Sequence, residues 1–399
     1  MIFASRFTIS GFSQVLAAIA VASALTAAAV PPGSLLWEAK PGARDLGPSV
    51  EAAGVVAVGN INSDGGLFAF SADSGKLLWK HRGEQVRGNL ASDGQHLFAV
   101  LGNRPTNHLV SLDIKTGKQM WSIPASPKFG GDDSGMISDS GRLYVINRDG
   151  KLDAYAEDTG KQLCEFHYSP NEDPECHSDL AFSNGRLFFG GGTSYVRDAP
   201  GKFLWAVDAA TGHELWRRES HLQFSSSADC PSTPVVSGDT ILYTVSNAIA
   251  AVKAATGTPV WNHLVTKMSG GYPKALVLSR PVAGAGVVFA SDSEALLSWS
   301  VADGRPLGEL RGLVGSDPQT VRMSAYEGTL YFCLNLPEDA GTPGKYRLHA
   351  MDIASRKILW THRTNRDAAG FTDWQSSYTI PTSSGVYYDN AGLFAKVAR

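Results

Sequence analysis

The chain has 399 residues with a formal net charge of −3, so it carries no electrostatic footprint for nucleic acid, and no RNA- or DNA-binding motif is present. Charged residues make up only 18% while glycine reaches 42 copies, which suits a β-rich globular protein with many turns.

At the N-terminus, Arg6 is the only charge ahead of the apolar run VLAAIAVASALTAAA, residues 15–29. The run ends in Ala27-Ala28-Ala29, small residues that a signal peptidase accepts. Its apolar length of about 15 residues falls short of the roughly 20 that a spanning helix needs, and Pro31-Pro32-Gly33 breaks any helix beyond it. Residues 1–29 therefore read as a cleaved secretory signal and residues 30–399 as the mature domain. Export to the periplasm or the extracellular space is expected, with no transmembrane segment once the signal is removed. No cysteine stands directly after the cleavage site, so a lipid anchor at the mature N-terminus is not expected. All four cysteines (Cys164, Cys176, Cys230, Cys333) lie in the mature part, where an oxidising compartment permits disulfides. None forms a Cys-x-x-Cys-His haem attachment site.

The first strand expected after the signal is SLLWEA, residues 34–39. A ten-residue unit then recurs down the chain: FSADSGKLLW, LDIKTGKQMW, YAEDTGKQLC, VDAATGHELW, VKAATGTPVW, SVADGRPLGE and MDIASRKILW. Its terminal position is held by Trp37, Trp79, Trp121, Cys164, Trp216, Trp261, Gly308 and Trp360, at intervals of 42, 42, 43, 52, 45, 47 and 52 residues. That is the period of propeller blades. Within each unit, two short apolar or alternating runs precede a tight turn whose glycine supplies a positive φ, and a final strand carries the tryptophan. The C-terminus offers three strands, SSYTIP, GVYYD and LFAKV, without the tryptophan-bearing fourth, which the lone N-terminal strand can supply. The expected fold is thus all-β: an eight-bladed β-propeller of four-stranded antiparallel blades, closed by the N-terminal strand joining the C-terminal blade. In this reading Trp37, Trp79, Trp121, Trp216, Trp261 and Trp360 are structural docking residues, each burying on the order of 150–250 Å² against the next blade. The interfaces at Cys164 and Gly308 are expected to be the weaker ones.

The unit closely resembles the tryptophan-docking repeat of the pyrroloquinoline quinone (PQQ) propeller superfamily. The pattern A-x-D-x-x-T-G-x-x-x-W is nearly complete in AVDAATGHELW, residues 206–216, and the resemblance spans the mature chain. It implies the fold. It does not choose a function, because the superfamily holds quinoprotein dehydrogenases as well as non-enzymatic scaffolds, among them a lipoprotein of the outer-membrane β-barrel assembly machinery.

Loop length separates the two faces of such a disc. The turns between first and second and between third and fourth strands are short. The other connections carry long segments: GNRPTNH (102–108), GGTSYVRDAPGK (191–202), NLPEDAGTPGKYR (335–347), HYSPNEDPECH (167–177), SHLQFSSSADC (220–230) and HLVTKMSGGYPKALVLS (263–279). Elaboration on one face marks it as the binding face. There the residues leading into each inner strand should ring the channel mouth: Arg87, Asp133, His177, Asp229, Arg280, Arg322 and the pair Trp374-Gln375. Three guanidiniums and an indole in one funnel would suit a flat anionic ligand; a polar channel that only holds water is the competing reading.

The cluster EDPECHSD, residues 172–179, matches no zinc spacing, and no metal site is assigned to it. Cys176 and Cys230 stand at equivalent places before the inner strands of adjacent blades and are the expected disulfide, with Cys164–Cys176 as its rival. No G-x-S-x-G, H-E-x-x-H or P-loop is present. Where the superfamily's alcohol dehydrogenases place two adjacent cysteines and a calcium set over PQQ, this chain has no adjacent cysteines and no calcium set that can be placed. The leading expectation is a monomeric, non-catalytic scaffold that presents its loop-rich face to a protein partner or a small anionic ligand. The alternative is a quinone-dependent oxidoreductase with PQQ and calcium in the funnel; no catalytic residue is assigned.

Overall fold

Every repeat unit folds as one antiparallel sheet with its strands in chain order. The computed structural model describes residues 30–43, 46–60, 65–103, 106–127, 135–147, 149–169, 176–192, 202–219, 230–269, 272–273, 277–292, 294–311, 323–333, 347–363, 379–390 and 392–399. Blades 1 to 7 occupy 46–82, 85–125, 136–167, 176–219, 235–264, 282–311 and 323–363. Blade 8 joins Thr379–Thr382, Gly385–Asn390 and Leu393–Val397 to the N-terminal strand Leu35–Ala39. The eight-bladed β-propeller read from the repeat is the fold, and no helix occurs among the described residues.

Burial explains the sequence pattern within a blade. First strands of neighbouring blades lie side by side around the axis, and the first strand of blade 8 meets that of blade 1. Second and third strands are sandwiched between two blades, so they read as continuous apolar runs; Val55–Asn60 and Thr240–Val245 are buried at every position. Fourth strands are the rim and alternate between exposed and half-buried, as in Leu77–Arg82 and Glu214–Glu219. Apolar packing clusters accordingly span pairs of adjacent blades, not single sheets; one joins Leu97 and Ala99 of blade 2 to Leu67 and Ala69 of blade 1.

The repeated turn has a specific job. In blade 2, Asp113 Oδ1 accepts the Thr116 amide at 2.8 Å and its hydroxyl at 2.7 Å, while the Gly117 amide donates to Asp113 O at 2.8 Å. Asp208 and Thr211 repeat the side-chain bonds in blade 4. The turn glycine faces the tryptophan of the preceding blade: a Cβ on Gly117 would stand 2.7 Å from the Trp79 ring, and one on Gly257 the same distance from Trp216. Each indole N–H then donates to a carbonyl of that turn, Trp37 to Ala72 at 3.1 Å, Trp79 to Ile114 at 2.9 Å, Trp121 to Glu157 at 2.8 Å, Trp216 to Ala254 at 3.0 Å and Trp261 to Val301 at 2.8 Å. Trp360 covers Gly33 in the same way.

The closure reproduces this turn from two chain ends. Leu35–Ala39 pairs antiparallel with Leu393–Val397. The Gly33 amide donates to Ala398 O at 2.8 Å and the Ala398 amide to Ser34 O at 2.9 Å, matching Gly75 to Ser71 and Ser71 to Lys76 in blade 1. Residues 32–399 form one compact unit.

Two long connections differ from expectation. GNRPTNH is not an inserted loop: strands His96–Asn103 and Thr106–Asp113 run through it as an extended hairpin, with Asn103 opposite Thr106. Its polar residues hid the strand pairing; Asn107 is buried and donates to Ser126 O at 2.9 Å. The 263–279 link contains a small hairpin, Met268–Ser269 against Tyr272–Pro273. Most of the other long connections, 170–175, 193–201, 220–229 and 334–346, lie outside the described residues.

Candidate functional site

Of the proposed funnel set, Arg87, His177 and Arg280 are described; Asp133, Asp229, Arg322, Trp374 and Gln375 lie outside the described residues. Arg87 sits inside the first strand of blade 2, half-buried, just before a register shift between Arg87 and Ala91. His177 is buried in the two-residue strand Cys176–His177, which pairs with Gly191 and Gly192. Arg280 is half-buried ahead of Val282–Gly284.

A serine repeated in three blades gives the register of this ring. The Ser178 hydroxyl receives the Gly190 amide at 2.8 Å, Ser232 receives the Thr244 amide at 3.0 Å and Ser279 receives the Ser291 amide at 2.9 Å. Each serine also has its own amide bonded back to the second strand, at 2.9, 2.8 and 2.8 Å. The residues that follow, Asp179, Thr233 and Arg280, are therefore structural equivalents. His177 lies two positions earlier. Sequence reasoning passed over Asp179 and Thr233 because the preceding links differ in length; the shared Ser followed two positions later by Leu or Pro was the available signal.

These residues bridge blades. The Asp179 amide donates to Thr233 Oγ1 at 3.2 Å, and a Cβ on Gly135 of blade 3 would overlap the Asp179 carboxylate. Asn89 of blade 2 reaches blade 3, donating to Met136 O at 3.1 Å and accepting its amide at 2.5 Å. Ser324 and Thr379 join blades 7 and 8 through hydroxyls 2.7 Å apart. A polar ring of this kind can bind a ligand with many acceptors or donors, and it also ties the blades together around the axis.

Burial pushes the Asp153 carboxyl up to about 6, with the nearby Glu165 charge adding to the shift, while Gln162 donates to it at 3.0 Å. Lys396 is almost fully buried at the closure, donates to Ala72 O at 2.8 Å and lies over the Tyr387 ring; burial lowers its pKa. Cys164 and Cys333 stand as thiols, and burial raises the Cys164 pKa. The Cys176 side chain lies outside the described residues.

PQQ with calcium would need a charge-neutralising oxygen cage and, in the dehydrogenases, a ring of adjacent cysteines. The chain has no adjacent cysteines. Among the described residues no group of three or more His, Cys, Asp or Glu is placed to hold a metal ion, and Arg87, His177 and Arg280 make no calcium set. The described residues do not fit that group. No described helix is long and apolar enough to cross a membrane.

Comparison with known proteins agrees with the geometry. A family model described as outer membrane protein assembly factor BamB matches residues 21–166 and 129–362. The BamB protein of Burkholderia pseudomallei is 28% identical over 201 residues, covering 47% of this chain and 49% of that one. The quinohemoprotein alcohol dehydrogenase ADH IIB of Pseudomonas putida is 24% identical over 374 residues, 77% of this chain and 51% of that one. The chain spans about half the length of these two relatives. The crystal structure of BamB from Moraxella catarrhalis superposes with a TM-score of 0.64 at 16% identity, over 92% of this chain and 99% of that one, a likeness of fold.

Proposed function

The chain belongs to the family described as outer membrane protein assembly factor BamB, and from that membership we propose that it is an exported, non-catalytic scaffold that binds a protein partner through its loop-rich face. The observation that carries the reading is the family match over most of the mature chain. The partner chemistry follows from the relatives' description, a protein of outer-membrane assembly. Export rests on the N-terminal apolar run and its Ala27-Ala28-Ala29 ending. The chain works as a monomer. Arg87, Arg280 and Arg322, with Asp133, Asp229, His177, Trp374 and Gln375, remain the proposed polar surface at the channel mouth. A second reading, a quinone-dependent oxidoreductase, draws on the 24% identity to a quinohemoprotein alcohol dehydrogenase.

Two measurements on the mature protein separate the readings. Crosslinking in the cell envelope should capture a defined partner, and that crosslink should be lost when the 335–347 segment is shortened. Titration with PQQ and calcium should give neither a chromophore nor a melting shift; saturable binding with turnover of an alcohol would replace the scaffold reading with the enzyme.

We also propose a disulfide between Cys176 and Cys230, since these two occupy equivalent positions, four residues before Leu180 and Pro234. Digestion of the exported protein without reductant should release the two segments joined. A Cys176 peptide recovered with its thiol alkylated would rule the pairing out.

A further inference from the structure

In six seams of the ring an indole covers the turn of the next blade; the seam between blades 3 and 4 keeps the receiving half of that device and lacks the indole. Gly212 retains a φ of +75°, and Ala209 takes the place of the carbonyl residues that accept an indole N–H elsewhere. Cys164 stands where the tryptophan would be, its Sγ 3.3 Å from where a Gly212 Cβ would lie. The seam between blades 6 and 7 is different. There both halves have changed together, with Gly308 at the tryptophan position and Arg356 at the turn, at a φ of +58°.

A cavity of about 350 Å³ opens at the short-turn end of the seam between blades 3 and 4. A separate water-sized void of about 10 Å³ lies beside Cys164 and shares Tyr144, Asp208 and Ala209 with the lining of the cavity. One wall is aromatic: the Tyr144 and Phe182 rings are stacked, with centroids 6.1 Å apart and planes at 20°. Arg142 and Arg186 line it as well, the former steadied by donating to Ala210 O at 3.2 Å. Asp208 also lines it, but its Oδ1 accepts the Ala210 and Thr211 amides and the Thr211 hydroxyl, which hold its pKa low. The lining thus sets two guanidiniums, Arg142 and Arg186, against the Asp139 and Asp208 carboxylates and carries no net charge.

We propose that this seam is a binding site for a small planar aromatic carboxylic acid. The ring lies against Tyr144 and Phe182, in the seam the indole does not close, and the carboxylate meets Arg142 and Arg186. A cavity of this size belongs to small-molecule sites, and guanidinium forks match a carboxylate in geometry and charge. A partner protein's aromatic side chain is the other occupant of matching chemistry; the paired arginines, which suit a free carboxylate, favour the acid.

Calorimetric titration of the mature chain with indole-3-acetate, indole and acetate in turn tests this. Indole-3-acetate should bind saturably at one site, and Arg186→Ala should weaken it about tenfold. Cys164→Trp, which sets an indole against the shared lining residues Tyr144 and Ala209, should weaken binding while melting at or above the wild-type temperature. Should that variant not fold, the Arg186→Ala titration decides by itself. No saturable heat up to millimolar ligand, equal affinity for indole and its acid, or unchanged affinity in Arg186→Ala would overturn the proposal.

Discussion

At Gly117 two requirements coincide. The backbone has a φ of +71°, and a side chain would strike the Trp79 ring that covers it. Gly117→Ala should therefore cost about 2–4 kcal/mol, combining a strained left-handed residue with overpacking. In a Trp79→Ala background the same change should cost only about 1 kcal/mol, because the overpacking part disappears with the ring. Denaturant midpoints of the four proteins give the coupling; additive losses would mean that the glycine serves the turn alone. Arg356 supplies the converse case. It holds a positive φ without an indole above it, so Arg356→Gly should stabilise by up to about 1 kcal/mol, read from the same midpoints. These residues were legible as a motif. That the glycine of one blade faces the tryptophan of the blade before it was not, because the partners are 38 residues apart in one seam and 327 in the closure.

Among the elements, Leu35–Ala39 closes the ring. It covers the Leu393–Val397 edge and inserts Trp37 among Phe70, Tyr387 and Phe394, with ring centroids 5.8–6.4 Å from the indole. The residues before it complete the neighbouring seam: Gly33 lies under Trp360, and Gly33 O accepts from His362 Nδ1 at 2.9 Å. Removing residues 32–40 from the mature protein takes away all of these at once. Losing Trp37 alone should cost about 3–5 kcal/mol, and the uncovered strand edge favours self-association. The shortened protein should melt far below the full chain and elute partly as oligomer; an unchanged melting temperature would contradict the clasp. The complementary ends, three strands at one terminus and one at the other, made this element readable in advance. The extended hairpin of blade 2 was not readable, since GNRPTNH carries polar turn formers in a place where only pairing with the neighbouring strand shows them to be in register.

For the whole molecule, the seams are unequal, and the inequality is where sequence and structure part company. The period of 42–52 residues and the recurring tryptophan sufficed for the blade count, the strand order and the closure, because each blade is built from local hairpins and repeats the same chemistry. The candidate ring was half legible. Arg280 was placed at its level, but the equivalents Asp179 and Thr233 emerged only from the serine hydrogen bonds, since links of unequal length defeat alignment by counting. Cys164 could be read from the sequence as a missing tryptophan. Whether the gap would close, as neighbouring blades slide together, or stay open depends on the packing of Phe166, Phe189 and Trp205, whose rings fill the deeper part of that seam with Phe166 and Trp205 5.5 Å apart. The sequence by itself determined the architecture, because strand patterning and turn chemistry act within a few residues of one another. Only the tertiary structure decided which seam holds a cavity and which polar groups meet at the axis, because both depend on side chains brought together from different blades.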